Sequence, residues 1–179
     1  MRIRDKIKKP QRPVVAYEIL PPREKDGTLN TYAETISSLL SQTHIDAINI
    51  PEVHDEIGRG ERPVSNQERG EPRKFGMLLQ DIVGVEAIIN RVVVHMPMKK
   101  QMEWIQETHS KYEIDNLIIV GGESSKQQYP GPTVNESLKR ISEVNRHRKS
   151  NILCGGICIP SRKKAVSYTH LRAHETLTD

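Results

Sequence analysis

Residues 13–24 read PVVAYEILPPRE. Val14, Val15 and Ala16, followed by Tyr17, Ile19 and Leu20, have the make-up of a strand buried on both faces, expected over residues 13–20. Pro21 and Pro22 end it, because proline offers no N–H to a ladder. One carboxylate, Glu18, sits inside the apolar run. Burying an unpaired charge costs several kcal/mol, so Glu18 is paired, protonated or pointed into a site.

Working outward, strand and helix alternate. TLNTYAETISSLLSQ (28–42) puts Leu29, Tyr32, Ala33, Ile36, Leu39 and Leu40 on one helical face. DAINIP (46–51) reads as a second strand. The polar stretch 52–72 has no apolar period and is too long for a simple connection, which marks a functional loop or an insertion. RKFGMLLQDIV (73–83) suggests a short helix and RVVVHMP (91–97) a third strand. Met98, Met102, Ile105 and Tyr112 stripe the next helix, with Trp104 beside them. NLIIVGGE (116–123) is the fourth strand. A helix follows whose start carries Thr133 and Glu136 at capping-box spacing, with Val134, Leu138 and Ile141 on its buried side. NILCGGICIP (151–160) is the fifth strand.

Near-continuous apolar strands alternating with helices imply a parallel sheet covered by helices, either an open doubly wound sheet or a (β/α)₈ barrel. Polar or Gly/Pro-rich segments follow each strand: PPRE, PEVHDE, HMPMKK, GGESS and IPSR. Barrel enzymes build their sites from such loops. The expectation is therefore an α/β chain forming part of a (β/α)₈ TIM barrel, about the first five βα units, since a whole barrel takes roughly 250 residues.

The chain has 179 residues, 35% of them hydrophobic and 28% charged, enough for one ordinary core. No window approaches the apolar length of a membrane span, and no secretory signal is evident, so a cytoplasmic protein without a membrane partner is expected. Residues 1–12 hold six Lys or Arg and one acid, against a net charge of +4 for the whole chain. The excess is thus confined to a basic N-terminal extension, expected to be solvated and mobile, and nucleic acid is not an expected partner. Cys154 and Cys158 fit neither a CxxC pair nor a four-ligand zinc site and read as buried thiols; no metal site is expected.

With the strands placed, residues 13–164 resemble the methylenetetrahydrofolate reductase family, a flavin-containing (β/α)₈ barrel. The resemblance rests on YEILPPRE at strand one, VVVHMP at strand three, NLIIVGGE at strand four and GGICIPSR at strand five. It implies an oxidoreductase of one-carbon metabolism that reduces a folate-bound methylene to methyl by hydride transfer. FAD is the implied cofactor and NAD(P)H the electron donor. Glu18 matches the family's catalytic carboxylate and is implied to be a general acid that assists opening of the five-membered ring. Such an acid is tuned by apolar surroundings. His95, Gly122 and Glu123 match flavin-contacting positions; alternatively GGESS is an anion-binding loop. Gly121, Glu123, Ser161 and Pro51 depart from the family pattern, and relatives that pass hydride directly from a nicotinamide offer another route. A folate- or pterin-binding methyltransferase-type barrel, or an inactive barrel serving as a binding subunit, are the alternatives. The charged stretch 49–62 suits a partner surface, and a homo-oligomer is allowed.

Residues 166–176, VSYTHLRAHET, resemble one translated frame of a transposase-type sequencing adapter, with Leu177–Asp179 where a sample index would follow. Residues 165–179 are accordingly expected to be a non-native tail. The native sequence is expected to diverge after about Lys164, and His170 and His174 to have no function.

Overall fold

A computed structural model describes residues 2–52, 69–122 and 128–157. Most of the charged stretch after strand two, Glu123, Cys158 and the whole C-terminal tail lie outside the described residues. Five strands, β1 (Ala16–Glu18), β2 (Ala47–Pro51), β3 (Glu86–Val92), β4 (Asn116–Val120) and β5 (Leu153–Gly156), follow one another in chain order in one parallel sheet. Five helices alternate with them: α1 (Ile3–Lys8), α2 (Leu29–Leu40), α3 (Pro72–Val83), α4 (Met98–Tyr112) and α5 (Val134–Arg148). The α/β class and the parallel sheet are as the sequence implies. The described parts of 1–90 and 107–116 form one compact unit, and those of 91–106 and 117–179 form a second.

In the first unit the core lies between the helices and one face of the strands. Ile48, Ile50, Ala87 and Ile89 are fully buried, as are Phe75 and Leu79 of α3. Helix α3 starts with Glu71 as N-cap, accepting from the Lys74 N–H, and with Pro72 where a missing N–H costs nothing. It ends at Gly84, whose φ of 76° suits glycine. Gly76 lets the helix lie close to the sheet: a Cβ there would stand 3.1 Å from Ile114 Cδ1, 3.2 Å from Ile50 Cδ1 and 3.3 Å from Ala87 Cβ. In the second unit, α5 carries the expected capping box of Thr133 and Glu136 and buries Leu138 and Ile141. Buried Arg91 there donates through Nε to Gln101 Oε1 at 2.9 Å and stacks on Trp104.

Three expectations need correction. The basic N-terminus is no mobile tail. Residues 3–8 are helical, Ile3 is buried, and Lys6 and Arg12 converge on Asp46, a carboxylate with almost no exposure. The charge excess is drawn in by a buried counter-charge. Strand β1 is not buried on both faces: it spans three residues, all exposed, and lies at the end of the strand order, where among the described residues it is hydrogen-bonded to β2 alone. Strand β3 starts at Glu86, earlier than expected, and ends before His95. The apolar run Val92–Val94 on which the expectation relied lies mostly past the strand's end, while the polar Glu86, Asn90 and Arg91 belong to the strand.

Asp46 accepts from Lys6 Nζ at 2.8 Å, from the Val15 N–H at 2.9 Å and from Arg12 Nη2 at 2.7 Å. Lys6, the Val15 amide and Arg12 together hold its carboxyl well below the usual range. A carboxylate lowered on folding stabilises the fold in full above its ordinary pKa of 3.8, and that contribution fades as pH falls below it. Denaturant titrations should therefore show stability dropping on the acid side, with a flatter acid limb and a lower neutral plateau for Asp46→Asn. Gly76→Val should cost about 1–3 kcal/mol by overpacking, read from the urea midpoint.

Candidate functional site at the end of strand one

Side chains alternate across each strand, and residues level with one another in a parallel ladder share a face. In the first unit, Ile48, Ile50, Ala87 and Ile89 take the helix-covered face. The other face carries Glu18 level with Asn49, Asn49 level with Ile88, and Pro51 level with Asn90. Asn49 Nδ2 donates to Glu18 Oε2 at 2.8 Å. The side-chain oxygens of Asn49 and Asn90 are buried and have no hydrogen-bond donor among the described residues. This is a polar row on the uncovered face: one carboxylate and two carboxamides, two of whose acceptors are unmet.

Just past Glu18 the chain is bent by Pro21 and Pro22. Their carbonyls are used, one accepting from Arg69 Nη1 at 2.9 Å and the other from the Gly70 N–H at 3.0 Å. A cleft of about 430 Å³ results, lined by Glu18, Pro21, Pro22, Asp26, Tyr32 and Arg69. Asp26 is held by Arg23, whose Nε lies 2.6 Å and Nη2 3.1 Å from its two oxygens, and its carboxyl is lowered chiefly by that hydrogen bond. Glu18 is exposed, so the apolar enclosure expected around it is absent. A larger cavity of about 680 Å³ opens at Asp46, Glu86 and Asp115. Several of its charges are paired, Lys6 with Asp46 and both Arg2 and His109 with Asp115. It sits at the N-terminal ends of β2 and β3, where barrels carry stabilising rather than catalytic residues.

His95 and Gly122 belong to the second unit. His95 lies in the turn after β3, and its ring meets Tyr129 edge-on at 5.6 Å. The same tyrosine lies over Gly122, where a Cβ would collide with its ring. Gly131 locks the His95 turn from the other side: its N–H donates to the Val94 carbonyl at 2.8 Å, and a Cβ there would run into the Val93 and Met96 carbonyls. Buried Gln101 adds a bond to the Val93 carbonyl at 2.7 Å. Sequence reasoning missed Tyr129, Asn49, Asn90 and Arg69. Only Tyr129, a lone aromatic in the Gly/Pro-rich run QQYPGP, left a signal. Tyr129 fills the space directly over Gly122. Among the described residues no group of three His, Cys, Asp or Glu side chains could hold a metal ion, and no helix is long and apolar enough to cross a membrane.

These features define an α/β protein with a parallel sheet and a polar cleft at strand ends. No family model matches the sequence, and no curated protein does. Among solved structures, the fold is shared with an uncharacterized protein from Clostridium thermocellum that binds two copies of 5-methyl-5,6,7,8-tetrahydrofolic acid. The TM-score is 0.65 at 19% identity, over 98% of this chain and 54% of that one. The chain thus spans about half the length of that structure.

Gly131→Ala should loosen the His95 turn and cost about 1–3 kcal/mol. The thermal midpoint, together with broadening of the His95 ring signals in NMR spectra, checks it.

Proposed function

We propose that the chain is part of a closed (β/α)₈ barrel that binds a reduced folate over the C-terminal ends of β1 and β2 and reduces its methylene to methyl. The observation that carries this reading is the Glu18–Asn49 pair at the mouth of a ligand-sized cleft, in a fold shared with a protein that binds 5-methyltetrahydrofolate. Barrel closure and activity are part of the proposal, because only half of the neighbour's length is represented.

The chemistry follows from the residues. A pterin ring is rich in N–H donors, and the unmet oxygens of Asn49 and Asn90 are acceptors on the same face. Glu18, steadied by Asn49, protonates the bridging nitrogen as the five-membered ring opens. The exocyclic methylene then becomes an electrophilic iminium carbon. The hydride that converts it to methyl would come from a reduced nicotinamide. In a closed barrel β1 would gain a second neighbouring strand and Glu18 a drier surrounding, which suits a proton donor near neutral pH.

A second reading, folate binding without reduction, is favoured by one observation: Glu18 is exposed in the described fold. One variant separates the two. Glu18→Gln removes no buried contact and should leave stability within about 0.5 kcal/mol. In a reductase it should lower turnover by about 10²- to 10⁴-fold while 5-methyltetrahydrofolate still binds. In a binding module it should change affinity only. Calorimetric titration with 5-methyltetrahydrofolate comes first, and a wild-type chain that takes up none would overturn both readings.

A further inference from the structure

Arg69 enters the cleft beside Glu18 with one guanidinium nitrogen committed. Nη1 donates to the Pro21 carbonyl at 2.9 Å, while Nε is buried and lacks an acceptor among the described residues. No carboxylate among those residues pairs with it. Asp26 lines the same cleft, but its oxygens are taken by Arg23, and Glu18 is engaged by Asn49. Leaving a buried N–H unmet is costly, and a guanidinium held flat by one bond presents a preformed fork for a planar anion. A dianionic phosphate is disfavoured, since two carboxylates line the cleft and the cation facing them has no carboxylate partner among the described residues. A monoanionic carboxylate matches that balance. The intervening walls are Pro21, Pro22 and Tyr32, flat apolar surfaces suited to an aromatic ring.

We propose that this cleft is a subsite for an aryl-amide carboxylate, with Arg69 as its anchor. Resting on the folate reading above, the ligand is the aminobenzoyl-glutamate half of the molecule. Its ring lies along the proline wall, its bridging nitrogen is at Glu18 and a glutamate carboxylate is on Arg69. The cleft, about 430 Å³, falls within the usual size range of small-molecule sites.

The test compares three ligands on the chain and on its Arg69→Gln and Arg69→Lys variants: 5-methyltetrahydrofolate, its glutamate diamide, and p-aminobenzoylglutamate alone. The wild-type chain should bind the charged folate about ten- to hundredfold more tightly than the diamide. Arg69→Gln should abolish that preference, with the thermal midpoint reporting a sound fold. Arg69→Lys should restore part of it. Equal affinity for folate and diamide in the wild type overturns the anchor and leaves the folate reading standing. Arg69-dependent binding of p-aminobenzoylglutamate without uptake of 5-methyltetrahydrofolate supports the subsite and overturns the folate reading. Uptake of no ligand overturns both.

Discussion

The buried carboxylate of Asp46 is the constraint on which the first unit depends. Backbone and side chain of this residue clasp Val15 from both sides: the Asp46 N–H donates to the Val15 carbonyl at 2.7 Å, and the Val15 N–H donates to the side chain. That clasp comes immediately before the β1–β2 ladder and sets its register at Ala16 opposite Ala47. Two residues further along, the same register brings Glu18 level with Asn49. A one-residue slip would turn Glu18 to the opposite face and separate the pair. The basic residues at the start of the chain therefore act on the candidate site at a distance, by compensating the charge that holds its strand in line.

Much of the architecture was legible in the residues. The alternation of apolar runs with helical stripes located four of the strands and the four longer helices, with β3 placed too late in the chain, and the Thr133–Glu136 spacing marked the start of α5 to the residue. What could not be read follows from non-local pairing. Net charge along residues 1–12 says nothing about a partner thirty residues away, so α1 was missed. The apolar content of residues 13–20 indicates that a strand wants covering; whether it is covered depends on its place in the sheet. Leu39, on the apolar stripe of α2, is largely exposed for the same reason. In β3 the polar residues Glu86 and Asn90 share the uncovered face, and alternation with Ala87 and Ile89 was the signal to weigh above apolar continuity.

The candidate site was legible in its acid and opaque in its surroundings. Glu18 stood out because it interrupts an apolar run. Asn49 and Asn90 became interesting only when the ladder showed which face they share. His95 and Gly122 do meet in one unit, through the ring of Tyr129.

Strand β1 also bears on how the molecule behaves among its own copies. Its outer rim, unpaired among the described residues, offers backbone donors and acceptors, and Val15 and Tyr17 are 43% and 41% exposed beside it. Such a rim invites strand addition. Prolines stand at 13, 21 and 22, on either side of the stretch. They limit the length over which a foreign strand can zip up, so the bend that shapes the candidate cleft doubles as a brake on templated aggregation.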